Sequence, residues 1–593
     1  MTQATHRQRR YLALSLAAPL YYGVVTLCYV FGHGFTVQDD MRQHVVWFQQ
    51  FVEPALFQGD AIAQYFRSVA PPGVTAVYWL GAKVGLEPLL LAKLLPLPLA
   101  LAATVFLFYT TLAIAPVPRA AWLATLIFNQ HLWLNDDLVS ATPRAFAYPL
   151  FAAFLYGLVR HSHGVIVLSV ALLGLCFPQM LLVAVGMLLV RLLVCPLAWP
   201  LKPPSIWRSW RGFTRGHHRW RAALLGGGVA IAVVLPFAMS LSDYGPAVTA
   251  AQMRSLPEYG LGGRNEYFGV SPLVFWLHGS SGLRIPVFPS VIWAGFALPL
   301  VLRQRSSTAA QTVTPQVGLL RDLMVASLGL FCLAHLLLLR LHFPSRYLYH
   351  SWRFSLAIAA GVVLAVVIEK VEAWQTKKSK AFPLPERGLR GVRQSSRAIA
   401  KTLLSLAAIV LIGIPMLPPL MLAFQGWVVG EIPAVYRYLK TQPADVQVAS
   451  IAPEGNNIPV FAHRSAWIGR EFSLPHHPRY YAIVRRRTAE LLQALYSPNP
   501  ANLRQWRDQT GVEFLLLENL TFEPNYLQQD WLINSSLRSQ IAAIAAQLEQ
   551  GTTPAIAPAL PRCSVVAEAD YSLVDTSCLS QWLSAVSSGP RTP

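Results

Sequence analysis

Charge is what this chain lacks. Only 13% of its 593 residues are Asp, Glu, Lys or Arg, while 54% are hydrophobic and the mean hydropathy is +0.42. An ordinary soluble domain carries about 25% charged residues, so a wholly water-soluble protein is excluded. Acids are the scarcer sign, 28 against 48 Lys and Arg, which leaves a net charge of +20. That surplus is not the footprint of a nucleic-acid binder. The basic residues gather in short loops between apolar runs, as the positive-inside rule requires of a membrane protein, and no nucleic-acid partner is expected. Cysteine is sparse, with six residues and neither a CxxC pair nor a Cys/His metal spacing. Zinc and dithiol centres of the usual spacing are therefore excluded. Cys28, Cys176, Cys195 and Cys332 lie in or beside apolar runs. Cys563 and Cys578 lie together in the polar C-terminal region, which suggests a disulfide and an oxidising, extracytoplasmic face. There is no Gly-rich phosphate loop to support nucleotide binding, and no repeat of fixed period.

What the chain does have is long apolar runs. Leu12–Phe31, Leu89–Ala115, Ala222–Leu241, Leu323–Leu341, Phe354–Ile368 and Thr402–Phe424 are of the order of the ~20 residues that cross a bilayer. The first run ends in Tyr29-Val30-Phe31, bulky residues rather than a small-residue cleavage site, so it reads as a retained span. The basic start His6-Arg7-Gln8-Arg9-Arg10 places the N-terminus in the cytoplasm. Further crossings at Ala120–Leu134, Ala145–Val159, Gly164–Phe177, Met180–Val194 and Val287–Leu302 keep the basic loops Lys202–Arg221 and 370–401 inside. Residues 1–425 thus form a domain of about eleven spans, with outer loops at 33–70, 135–144, 242–285 and 342–352. The stretch from Pro71-Pro72-Gly73 to Val84 reads as re-entrant or as a further span, which leaves the span count between 70 and 118 open. Residues 426–593 read as a soluble extracytoplasmic α/β domain. Val446–Ile451 and Val512–Leu517 have strand character, and Tyr481–Tyr496, Asn502–Gln509 and Leu537–Glu549 have helical character. The fold class is a polytopic α-helical membrane protein carrying a C-terminal α/β domain.

Ionisable residues at a membrane boundary are costly and tend to mark a working site. The first candidates are Asp39 and Asp40 in Gln38-Asp39-Asp40-Met41-Arg42-Gln43-His44, just past the outer end of the first span. One of two neighbouring carboxylates has a raised pKa and can serve as a general base; together they could hold a divalent cation such as Mg²⁺ or Mn²⁺. His44 follows as an auxiliary group. A second acidic pair, Asp136-Asp137, lies on the next outer loop, close to Arg144, whose guanidinium suits a phosphate. A third cluster, His342, Arg346, His350 and Arg353, is basic although it falls outside, and an anionic lipid phosphate would account for it. Loop 242–285 mixes Asp243, Tyr244, Arg254, Glu258, Tyr259, Arg264, Asn265, Glu266 and Trp276, groups that can line a sugar site. His476, His477 and Arg485–Arg487 are expected to face solvent or headgroups.

In architecture, residues 10–425 resemble the C-type (GT-C fold) membrane glycosyltransferases. An acidic pair follows the first span, a second acidic pair occupies a later outer loop, and a basic cluster surrounds Arg346. The segment Thr142-Pro143-Arg144-Ala145-Phe146 and the tail Tyr436–Leu517 are similar to uncharacterised bacterial multi-span proteins. The resemblance implies a transferase taking a sugar from a polyprenyl-phosphate donor to an extracytoplasmic glycan, lipid or protein acceptor, in a bacterial-type inner membrane. Asp39 or Asp40 would be the base, Asp136 and Asp137 a second acidic site, and Arg144, Arg346, His342 and Arg353 the lipid-phosphate ligands. The oligosaccharyltransferase Trp-Trp-Asp motif is missing, which argues against transfer to protein asparagine. Two other classes remain: a non-catalytic membrane scaffold presenting the external domain, and a transporter of a lipid-linked or anionic solute.

Overall fold

The structure, a computed structural model, describes residues 3–193, 217–239, 243–304, 307–380 and 409–587. Residues 202–216 of the basic loop, 381–401 of the second basic stretch, 402–408 of the last apolar run, and Cys195 lie outside the described residues. Proline punctuates the helical part. Pro72, Pro88, Pro96, Pro118, Pro143 and Pro178 each open a helix, where a missing N–H breaks no hydrogen bond and the fixed φ is already helical. Among the described residues four helices are long and apolar enough to cross a membrane: Thr5–Gly32, Pro88–Ile114, Pro315–Leu336 and Ser345–Ala373. His163–Cys176, Pro178–Leu193 and Ser290–Gln304 are shorter apolar helices. The stretch after Pro71 is the helix Pro72–Lys83. At 12 residues it is about 18 Å long, too short to span.

The helices Pro118–Trp133 and Trp352–Lys380 form the central pair, flanked by Pro96–Ile114 against Pro143–Arg160. Small residues allow the central approach: a Cβ on Gly361 would lie 2.6 Å from both the Ala120 carbonyl oxygen and the Ala124 nitrogen. The outer surface of the bundle exposes Leu14, Val24, Phe31, Leu168, Ile231 and Leu300, a face suited to lipid.

The C-terminal part carries a five-stranded sheet of order β4-β3-β5-β7-β6. Its strands are β3 (Gln447–Ala449), β4 (Ser465–Ala466), β5 (Phe514–Glu518), β6 (Ser564–Glu568) and β7 (Tyr571–Asp575). β3 runs parallel to β4 and β5, while β7 is antiparallel to β5 and β6. Successive residues of the central strand serve two cores, as the period of two demands. Leu515 and Leu517 join Leu491, Leu495, Ile541 and Leu579 on one face. Phe514 and Leu516 join Trp47, Phe66 and Tyr480 on the other. The second core is therefore shared with the loop after the first helix, and the stacked rings of Tyr65 and Tyr480, 3.6 Å between centroids, lie within it. Cys563 and Cys578 are bonded to each other. Cys28 and Cys332 lie exposed on the helical part, rather than in its core, and Cys176 is buried.

Candidate active site

A two-stranded ribbon fixes the first acidic pair. β1 (Thr36–Gln38), leaving the first helix, pairs antiparallel with β2 (Trp427–Val429), so that Gln38 faces Trp427. The Asp39 amide donates to the Gly426 carbonyl at 3.0 Å. Gly426 has φ +66°, and a Cβ there would lie 3.2 Å from the Gln38 amide nitrogen and 3.9–4.0 Å from Asp136 and Asp39; a side chain would be strained there and would crowd the Gln38 amide. Buried Gln38 accepts from the Asp40 amide at 2.9 Å and donates to the Gln425 carbonyl at 3.3 Å. Both carboxylates are thereby aimed by backbone contacts nearly four hundred residues apart in sequence.

The second pair arrives on the short helix Asp136–Val139, and Arg144 follows in the first turn of the helix Pro143–Arg160. Arg144 joins the two pairs. It forms an ion pair with Asp40, reaches Asp137 Oδ1 at 3.0 Å, and lies 3.9 Å from Asp136 Oδ2. Asp137 is also held by Arg353 at 3.1 Å and by the Tyr148 hydroxyl at 3.0 Å. Arg353 donates to the Tyr148 oxygen at 2.7 Å, and that oxygen lies 3.0 Å from His350 Nδ1. The guanidiniums of Arg353 and Arg284 lie over the Tyr349 ring at 3.8 and 4.2 Å. Asp39 turns the other way, to Arg42, which donates to Asn457 at 2.9 Å and lies 3.8 Å from Glu471.

Arg346, on the helix Ser345–Tyr349, is close enough to Arg144, Asp137 and Asp40 to feel their charges. It forms no ion pair or hydrogen bond with another side chain among the described residues. His342 is not in the acid cluster. Its Nδ1 accepts from the Phe343 amide at 2.8 Å, and its ring lies 6.2 Å from that of His476. Burial, reinforced by Arg346, holds it well below the ordinary histidine range. His44 packs edge-on against Phe66. Burial, with Arg144 and Arg346 adding, depresses its pKa to about 3, so it is neutral at pH 7.

Three acids, Asp137 fully buried and Asp40 and Asp136 partly so, divide their roles. Burial raises Asp40 despite Arg144. Burial and then the neighbouring Asp137 raise Asp136 to about 6. Burial also works against charge on Asp137, but His350, Arg144 and Arg353 outweigh it and hold Asp137 below the usual carboxylate range. The site thus has one acid held ionised and two whose carboxyls are held above the ordinary aspartate range. Among the described residues no group of three or more His, Cys, Asp or Glu side chains is arranged to hold a metal ion. The carboxylates meet guanidiniums, and Arg144 occupies the position between Asp40 and Asp137.

Sequence reading missed Arg42, Arg284, Tyr148, Tyr349 and Glu471. Arg42 stood three residues from Asp39, a spacing that brings side chains together on a helical turn. Glu471 carried no local signal; it accepts from Gln43 at 2.7 Å and Arg264 at 2.9 Å. Loop 242–285 straps the sheet region to the bundle: Glu258 accepts from Tyr481 at 2.5 Å and Ser536 at 2.8 Å. His476 and His477, expected at the surface, are half-buried and meet Tyr259 and Tyr65, at 3.1 and 3.0 Å, because this strap covers the first and the helix Ala61–Ser68 the second. Arg487 lies over Trp467 at 4.0 Å, whereas Arg485 and Arg486 are exposed.

No family model matches the sequence, and no curated protein matches it. Solved structures do. The oligosaccharyltransferase AglB from Archaeoglobus fulgidus, in complex with an inhibitory peptide and a dolichol-phosphate, is 12% identical, with a TM-score of 0.51 over 90% of this chain and 72% of that one. ArnT from Cupriavidus metallidurans, bound to undecaprenyl phosphate, is 13% identical over 95% and 98% of the two chains, with a TM-score of 0.47. The mycobacterial arabinofuranosyltransferase AftD is 16% identical over 86% and 37%, with a TM-score of 0.46. Identity this low speaks to fold, and it is the AglB match that carries it. The chain is a helical protein with apolar, membrane-type helices that shares the GT-C fold of the AglB structure.

Proposed function

We propose that this protein transfers a sugar from a polyprenyl-phosphate donor to an acceptor outside the cytoplasm, with inversion at the anomeric carbon. The observation that carries the reading is the convergence of both acidic pairs on Arg144, beside an Arg346 that has no carboxylate of its own. Asp40 is the base. Its raised pKa makes the carboxylate a stronger proton acceptor than an exposed aspartate, whereas Asp39 is committed to Arg42. Asp40 takes the proton of the acceptor hydroxyl as that oxygen bonds to the anomeric carbon. The bond from that carbon to the phosphate oxygen breaks, and the lipid phosphate leaves with the electron pair. Arg346, with Arg144 and Arg353 behind it, meets the charge that develops there. Asp137 stays ionised and holds Arg144 and Arg353 in place. The N-terminus lies in the cytoplasm, about eleven spans cross the membrane, and residues 426–593 lie outside.

The test is a donor-consumption assay on the purified full-length chain with a polyprenyl-phosphate sugar. Asp39→Asn, Asp40→Asn and the double variant are compared with the unaltered protein. Full turnover in all three would sink the reading, and the scaffold or transporter class would replace it.

A further inference from the structure

A second cationic place lies at the other end of the bundle. The helix Pro143–Arg160 starts beside the acid cluster at Arg144 and ends at Arg160. These two residues are roughly 24 Å apart along the axis at 1.5 Å per residue. Next to Arg160, His161 borders a cavity of about 760 Å³ between Ser290–Gln304, Gly318–Leu336 and Trp352–Lys380. Its wall is apolar, including Leu302, Val325 and Leu356, but Arg191, Arg219 and Arg321 also line it. Asp322 is the acid there, and two arginines share it. Arg321 donates to Asp322 at 2.8 Å, while the nearest Arg191 nitrogen stays at 3.9 Å. That nitrogen, Arg191 Nη1, is buried and has no hydrogen-bond partner among the described residues. A buried guanidinium left without a full set of acceptors is destabilising.

We propose that this cavity binds the phosphate headgroup of an anionic lipid from the leaflet opposite the acid cluster, with its aliphatic tail along Leu302 and Leu356. A basic recess between spans at a positively charged membrane face is the usual form of such a site. Its size suits a headgroup and the first part of an aliphatic tail. A phosphate oxygen placed between Arg191 and Arg321 would supply the acceptor that Arg191 Nη1 lacks. A bilayer phospholipid and a polyprenyl phosphate share this chemistry.

Native mass spectrometry of the delipidated full-length protein tests it, with phosphatidylglycerol, undecaprenyl phosphate, phosphatidylcholine and inorganic phosphate added in separate arms. The unaltered protein should retain one or both anionic lipids about tenfold better than phosphatidylcholine. The Arg191→Gln/Arg321→Gln variant should lose that preference; which anionic lipid it loses identifies the source. Val325→Trp narrows the cavity at a residue that is 48% exposed and leaves the arginines in place. It should weaken retention even if the double variant does not fold. Equal retention of phosphatidylcholine, an unchanged preference in both variants, or displacement of the lipid by equimolar inorganic phosphate would overturn the proposal.

Discussion

The two ends of the helical bundle handle charge in opposite ways. At the acid end, Asp39, Asp40 and Asp137 each meet a guanidinium, and Arg144 touches acids from two separate loops. At the other end one carboxylate, Asp322, serves two arginines and leaves a buried nitrogen unpaired. Both are clusters of charge near the ends of apolar helices, where ions are expensive unless compensated. The first pairs its acids and so fixes their direction before any ligand arrives, while Arg346 beside them has no carboxylate of its own. The second is complete only when an anion enters. A closed network suits chemistry, which needs preorganised groups; an open one suits binding.

The largest effect should come from Asp40→Asn, which removes the proposed base and spares the ion-pair geometry around Asp137. Donor turnover should fall by about 10²–10⁴-fold, with thermal unfolding in detergent little changed. Arg144→Gln should break the closed network itself. Asp40 and Asp137 would lose a shared partner, at about 3 kcal/mol of stability, visible as a lowered unfolding midpoint together with lost turnover. Arg144→Lys should recover part of the stability but less of the turnover, since a single ammonium cannot bridge as a planar fork does. At the opposite end the sign reverses. Asp322→Asn removes the competing carboxylate and should raise retention of anionic lipid by about three- to fivefold, the ~1 kcal/mol of one charge, while donor turnover stays the same.

Acidity should separate the two ends as well. Asp40 has a raised pKa in the folded chain, chiefly from burial, and works only when ionised. Turnover is therefore full above that pKa and is lost as pH falls through it, with the acid limb of kcat/KM displaced upward from the usual carboxylate range. Asp136 takes up its proton as pH falls through about 6. An acid limb at the position of an exposed aspartate would contradict the assignment of Asp40. The smallest effect should be that of His44→Gln. His44 is already neutral at pH 7, so its replacement by a neutral polar group should change turnover less than about twofold, well under the loss that follows removal of a general base.

Some of this was legible in the chain alone because it is local. Apolar runs and proline starts are written in consecutive residues, and the expected strand Val512–Leu517 appears as β5 with its boundary moved by one or two residues. Both acidic pairs could be singled out because charge is rare in such a sequence. Their meeting could not be. Arg144 and Asp40 are 104 positions apart, and Arg353 and Asp137 are 216; these distances close only when the helices pack. β6 alternates only half-buried and exposed residues, and β7 has no strict alternation at all, each over five positions, so neither stands out beside the apolar runs. Nothing near Glu471 announces that it joins Arg42 and Arg264. The sequence by itself determined an apolar, membrane-type chain with acids at the ends of apolar runs, because hydropathy and charge act residue by residue. The tertiary structure decided which acid is base, which is anchor and which arginine stays open, because burial and Coulomb interaction depend on distances that no local pattern encodes.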